Sequence, residues 1–142
     1  MLSRLPDVRQ VPIEVTRPLR QAILRAHQTE AELAAHETAD AYAVAAFEGD
    51  RIVAVGFVVP EGERDDWRVR GMATEPHARG RGAGRAILDA LVAHAKDQGA
   101  DRIWCKARTR ARSLYERAGF VVASDEFEVP VIGPHLIMEL RP

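Results

Sequence analysis

The spacing of apolar residues changes from segment to segment along this chain, and each spacing predicts an element. Near the start, VRQVPIEV (8–15) reads as a first strand. Pro12 confines it to a sheet edge or a strand end, because proline cannot donate to a ladder. RPLRQAILRAH then places Leu19, Ile23 and Ala26 at helical spacing, with Thr16 as N-cap and Pro18 in the first turn. TEAELAAHETAD reads either as a second helix or as an irregular loop. AYAVAAFEGDRIVAVGFVVPEG is a hairpin: two strand-like runs flank EGDR, where Gly49 and Asp50 supply turn chemistry. DWRVRGMAT is the next strand, ended by Glu75-Pro76.

GRAILDALVAHAKDQ is the longest periodic segment. Its Ile87, Leu88, Leu91, Val92 and Ala95 form one stripe, and Gly99 stands where a left-handed C-terminal cap belongs. DRIWCKA is a short strand. ARSLYERAG follows as a helix, with Ala111, Leu114, Tyr115 and Ala118 on one face and Gly119 closing it. FVVASDEFEV and PHLIMEL finish as strands, separated by Pro130 and Gly133. The order is β α (α) β β β α β α β β. Strands before and after the long helix predict a right-handed crossover between parallel neighbours in a mixed sheet.

Composition narrows the class. A chain of 142 residues fits one domain, 1–142, large enough to bury most of its apolar surface around one core. Apolar content of 46% and charged content of 29% are globular values. A net charge of -1 gives the molecule as a whole no electrostatic reason to seek nucleic acid or anionic membrane. The lone Cys105 suits a reducing compartment, no apolar run approaches the ~18 residues of a membrane span, and MLSRLPDVRQ lacks a leader's apolar stretch. The expectation is a soluble cytoplasmic domain.

The candidate chemistry begins at RGRGAGR (79–85), between a strand and a helix N-terminus. The first turn of a helix leaves N–H groups unpaired and carries partial positive charge. Glycines let the backbone approach a ligand closely, so amides fanned around an anion, with flanking arginines, make a diphosphate cradle. The Walker pattern fails because no Lys-Ser or Lys-Thr follows the last glycine. The GxGxxG fingerprint fails because the glycines fall at 80, 82 and 84. What fits is R-x-x-G-x-G, read as Arg79, Gly82 and Gly84.

The span VRGMATEPHARGRGAGRAILDALVAHAKDQGADRIWCKARTRARSLYERAGF (69–120) resembles the acetyl-CoA-binding core of the GNAT superfamily of N-acetyltransferases. ARSLYERAGF is similar to the family's A-x-x-x-Y-E-x-x-G-F element, and FEVPVIGPHLIMEL to the last strands of one of its branches. The resemblance implies a three-layer α/β (α+β) fold. Its central sheet would be mixed, mostly antiparallel and twisted, with about six to seven strands, a splayed parallel pair and about four flanking helices. It also implies acetyl-CoA as cosubstrate; the spacing of the histidines predicts no metal. Backbone groups of Met72, Ala73 and Thr74 would bond the pantetheine arm like an added strand. Amides of Arg79, Gly80, Arg81, Gly82, Ala83 and Gly84, with Arg85 opening the helix, would hold the pyrophosphate. Tyr115 takes the place of the family's general acid beside the leaving thiol. Where the family often has Asn, this chain has Arg108, a further cation for the cofactor's phosphates. A homodimer is the family-level expectation.

Transfer from a thioester to an amine by direct attack passes through a tetrahedral oxyanion, which an N–H from the Met72–Thr74 segment would stabilise. A lysine-like ammonium is neutral about once in 2,500 molecules at pH 7, a handicap of roughly 4.6 kcal/mol. Glu75 is the first candidate base to offset it and Glu126 the second, the latter placed with His135 on the acceptor side. The acceptor is a small-molecule or protein amine. Its groove would be built from AELAAHETADAYA and FEVPVIGPHL, where Glu30, Glu32, Glu37, Asp40, Asp125, Glu126 and Glu128 either favour a cationic amine or simply keep the surface solvated. Bland readings stand beside these. Tyr115 lies on an apolar stripe and reads equally as core. The run CKARTRARSLYER reads as a solvated face, and without interleaved aromatics it does not read as a nucleic-acid site. Cys105 reads as a buried strand residue, and the histidines lack metal-ligand spacing. The rival from another class is a non-catalytic acyl-CoA-binding sensor or interaction module.

Overall fold

The computed structural model describes residues 6–142, so the first five residues of the MLSRLPDVRQ segment read for a leader lie outside it. Eight strands form one sheet in the order β1-β2-β3-β4-β5-β8-β6, with β7 also paired to β8. β1 (Asp7–Val11) pairs antiparallel with β2 (Tyr42–Glu48), which forms the expected hairpin with β3 (Arg51–Pro60). β1 stops one residue before Pro12, and the apolar residues beyond it wind into a 3₁₀ turn over Ile13–Thr16. The anticipated strand 8–15 is therefore half strand and half turn, divided where proline removes a donor. α1 (Arg17–Leu24) follows directly, and α2 (Glu30–Ala34) resolves the helix-or-loop alternative in favour of a short helix. Thr29 and Glu32 close a capping box at its start.

β4 (Asp66–Thr74) lies antiparallel to β3 and leads through a 3₁₀ turn, Pro76–Ala78, to α3 (Ala83–Asp97). Gly99 has φ 83°, the left-handed cap its position predicts. β5 (Arg102–Arg108) is parallel to β4, as the crossover requires, and α4 (Arg112–Arg117) follows it. The last strands are β6 (Val121–Val122), β7 (Phe127–Val129) and β8 (Gly133–Leu140). The run FVVASDEFEV thus splits in two, which lifts the strand count to eight. Ser124 explains the break: its Oγ accepts the Ile137 N–H at 2.9 Å, replacing one rung of the ladder with a side chain.

The layers follow from alternation along the strands. One sheet face packs Ile87, Leu88 and Leu91 of α3 with Tyr115 and Phe120, while the other packs Ala45, Val55 and Ala73 under Leu19 and Ile23 of α1. α3 fits closely because Gly56 has no side chain. A Cβ there would sit 2.8 Å from both Ile87 Cγ2 and Met72 Sδ. No helix is long and apolar enough to cross a membrane among the described residues.

Two features of β4 place the site. It pairs with β5 only from Asp66 to Arg68, against Arg102–Trp104, after which the strands part. Arg102 clamps the closed end of this V, reaching Asp66 at 3.3 Å and Glu139 at 3.0 Å. Further along, the β3–β4 register shifts and Gly71 adopts φ 65°. A bulge there bends β4 at the point where its far edge has lost a partner. Backbone groups beyond Arg68 therefore open on the cleft between β4 and β5.

Candidate active site

The glycine stretch folds as a loop that leaves a helix end open. Gly80 and Gly82 have φ 79° and 85°, and a Cβ at either would meet nothing within 4 Å. Their absence of side chain thus serves backbone conformation rather than packing. Gly82 is the N-cap of α3 and no side chain caps the helix, so its first-turn N–H groups keep free valences. They border a cavity of about 300 Å³ walled by Thr74, Gly82, Gly84, Arg85, Leu114 and Arg117. Arg79 turns back to donate to the Thr74 carbonyl at 3.3 Å, tying the loop to the end of β4. Arg85 donates to Asp89 at 2.8 Å and to the Arg117 carbonyl at 3.1 Å, joining α3 to α4. Arg81 points away, to Glu48 at 3.0 Å.

A second cavity, about 430 Å³, fills the V between β4 and β5. Thr74, Gly84 and Leu114 line both cavities, so the two adjoin at those residues. A Cβ on Gly84 would stand 3.6 Å from Thr74 Oγ1 and 3.9 Å from Leu114 Cδ2, which is ordinary contact at the junction. Gly71, Met72 and Thr74 bring the bulged strand into the larger cavity, while Ala73 packs into the α1-side core.

Tyr115 lines the larger cavity and is 6% exposed, its ring edge-on to Phe120 at 5.6 Å. The ring is packed, as its place on the apolar stripe predicts, and the residue also borders the cleft. Burial, with Cys105 as the lesser cause, raises the Tyr115 phenol above its ordinary value and keeps it protonated. His135, from β8, lines the same cavity and is 4% exposed. Its Nδ1 lies 2.8 Å from the Gly133 carbonyl. A carbonyl only accepts, so Nδ1 carries the hydrogen, and a neutral ring then has its lone pair on Nε2.

Other expected residues fall elsewhere. Glu75 lines neither cavity: Arg51 holds its carboxylate at 2.7 Å, with His77 at 3.1 Å. Glu126 accepts from Thr109 Oγ1 at 3.0 Å on the exposed surface and also lies outside both cavities. Arg108 borders the larger cavity rather than the glycine-loop one. None of the carboxylates of the acid-rich segments lines the larger cavity. Glu37 is drawn away by Arg17 and Arg20, each 2.6 Å from it. Cys105 is buried, and desolvation pushes its thiol up to about 12, which suits a core residue and not a nucleophile.

The sequence reading missed the cationic wall of this cavity. Arg20 and Arg25 come from α1 and its end, Arg68 and Arg70 from β4, and Lys106 and Arg108 from β5. On β4 and β5 they recur every second residue, which puts each pair on one face of its strand. That periodicity was visible in the sequence, but the meeting of three elements was not.

The model of the acetyltransferase (GNAT) family matches residues 8–120. An uncharacterized N-acetyltransferase of Bacillus subtilis, YitI, is 24% identical over 139 residues, covering 93% of each chain. Among solved structures, the ribosomal-protein-S18-alanine N-acetyltransferase of Escherichia coli superposes with a TM-score of 0.78 at 18% identity, over 96% of this chain and 94% of that one. A Bacillus subtilis acetyltransferase in complex with CoA superposes with a TM-score of 0.76 at 13% identity, over 97% and 99%.

Proposed function

The chain belongs to the acetyltransferase (GNAT) family, and on that premise we propose that it moves an acetyl group from acetyl-CoA to a primary amine by direct attack. One observation carries the reading: an uncapped helix end opens on a cavity that adjoins a second one bordered by Tyr115 and His135. The residues fit coenzyme A. The free N–H groups at the start of α3, with Arg85 and Arg117 beside them, suit a diphosphate. The unpaired edge of β4 at Met72 and Thr74 suits the amide-bearing pantetheine arm. When bound, acetyl-CoA supplies an acyl group already activated as a thioester.

The chain's own groups divide the remaining work. A backbone N–H of the Met72–Thr74 segment donates to the carbonyl oxygen as negative charge develops there. Tyr115, held protonated by its burial, donates to the departing sulfur. Nε2 of His135 takes a proton from the acceptor amine, replacing Glu75 and Glu126, whose carboxylates are engaged outside the cavities. Leu33, Phe57 and Val69 give the cavity an apolar part of its wall, against which the neutral amine is favoured.

The test is a library of primary amines incubated with purified protein and acetyl-CoA, following thiol release. Transfer to at least one amine is the expected result. Tight acetyl-CoA binding with no thiol release from any amine supports the sensor instead.

A further inference from the structure

The larger cavity holds more positive charge than the chain itself neutralises. Arg20, Arg25, Arg68, Arg70, Lys106 and Arg108 line it, and among the described residues no Asp or Glu does. Two of these cations are compensated from behind: Arg20 by Glu37 and Arg68 by Glu61, each at 2.6 Å. Arg70 reaches only the other oxygen of Glu61, at 3.4 Å. Arg25 and Arg108 have no carboxylate partner among the described residues. Both instead donate to one atom, the Leu24 carbonyl oxygen, from Nη1 at 3.0 Å and Nη2 at 3.2 Å.

Two guanidiniums, 83 positions apart in sequence (108 − 25), thus converge on a single neutral acceptor. Burial, and then each one's cationic neighbours, disfavours the charged form of Arg25, Arg70 and Arg108 alike. Arg68 adds a buried Nε with no hydrogen-bond partner. The chain has 21 acidic residues and sets none of them on this surface. Such a cluster is unfavourable until an anion joins it. Coenzyme A does not supply that anion in the proposed pose. Its diphosphate belongs at the α3 end, in the cavity that excludes Arg25, Arg70 and Arg108, its 3′-phosphate sits on the ribose beyond the diphosphate from the thiol, and its pantetheine arm is uncharged.

We propose that this cavity selects an acceptor bearing an anionic group, a carboxylate or a phosphate, beside its amine, and that Arg25, Arg70 and Arg108 bind that group. The inference rests on the acetyltransferase reading and reverses the cationic acceptor that the acid-rich segments suggested.

Matched pairs test this. Rates of thiol release from acetyl-CoA are compared for each common amino acid against its carboxamide, and for phosphoethanolamine against ethanolamine. The best anionic acceptor is expected to exceed its neutral partner about 100-fold in kcat/KM, the effect of two charge-assisted hydrogen bonds. Which pair shows the gap distinguishes carboxylate from phosphate. Arg25→Gln is expected to cut the preference about 10-fold while CoA affinity stays within about 2-fold, and Arg25→Lys to restore part of it. Equal rates within every pair, or preference for the neutral member, overturn the inference and leave the acetyltransferase reading standing. A second readout needs no turnover: calorimetric titration of the CoA complex with N-acetyl amino acids, N-acetylphosphoethanolamine and their neutral counterparts. Selective binding of the anions without thiol release from any amine sinks the enzyme reading and keeps the anion site. No binding, or equal binding, overturns the anion site.

Discussion

Replacing Gly71 with alanine separates two costs that the β4 bulge imposes. The backbone at this position has φ 65°, which an L side chain adopts at a cost of about 1–2 kcal/mol. The new Cβ would also lie 2.7 Å from Phe57 Cε1, 2.9 Å from Phe57 Cδ1 and 3.1 Å from Arg20 Nε. Phe57 is 2% exposed, packed on Ala43 and Val59 with the Arg20 guanidinium 4.7 Å over its ring, so the ring swings clear only by giving up those contacts. Overpacking of this kind costs about 1–3 kcal/mol more. The expected loss is about 2–5 kcal/mol, a large share of the roughly 5–15 kcal/mol that holds a domain together. Gly49→Ala is the control: φ is 61°, yet nothing lies within 4 Å of its Cβ position. It carries the backbone cost alone, about 1–2 kcal/mol. Urea unfolding with m near 2 kcal/mol/M places the Gly49→Ala midpoint about 0.5–1 M below wild type, and the Gly71→Ala midpoint about 1–2.5 M below. Equal midpoints at unchanged m refute the argument that Gly71 lets β4 pass over Phe57.

The remaining predictions concern the site and its supports. Tyr115→Phe is expected to lower kcat about 100-fold with the acetyl-CoA KM within about twofold; an unchanged kcat removes the phenol from the reaction. His135→Gln is expected to lower kcat/KM for the acceptor by a similar factor, about 100-fold, without weakening CoA binding in calorimetry. Glu37→Gln is expected to cost about 3 kcal/mol, because it leaves the buried Arg20 guanidinium short of its carboxylate. Burial alone would raise the Glu37 carboxyl, but hydrogen bonds and charge from Arg17 and Arg20 outweigh it and lower it. A depressed carboxylate stabilises the fold above its unfolded value, about 4.3, and that contribution fades as pH falls through the folded value. Wild type should therefore lose stability on acidification below about pH 4 more steeply than Glu37→Gln, and parallel denaturation curves would contradict this.

What the sequence made legible was local. The glycine loop needs only residues 79–85 to show its pattern, and its two positive φ values are properties of single glycines. The parallel pair around α3 follows from element order, and the hairpin from one turn. What it concealed depended on distant chain meeting in space. Glu75 reads as a free carboxylate until the neighbouring hairpin brings Arg51 against it. Glu37 reads as part of an acceptor groove until α1 turns Arg17 and Arg20 towards it. The cationic cavity wall is drawn from positions between 20 and 108, no two segments of which form a sequence motif. Gly56 and Gly71 read as ordinary strand residues because the side chains that require their smallness, Ile87 and Phe57, lie on other elements.

The most direct test of the central claim is a crystal structure with coenzyme A bound. The diphosphate is expected within hydrogen-bond distance of the N–H groups from Arg81 to Arg85, with the sulfur beside the Tyr115 hydroxyl and the Arg25–Arg108 cluster untouched by the cofactor. A diphosphate or 3′-phosphate seated on Arg25 and Arg108, with the glycine loop empty, would contradict the account.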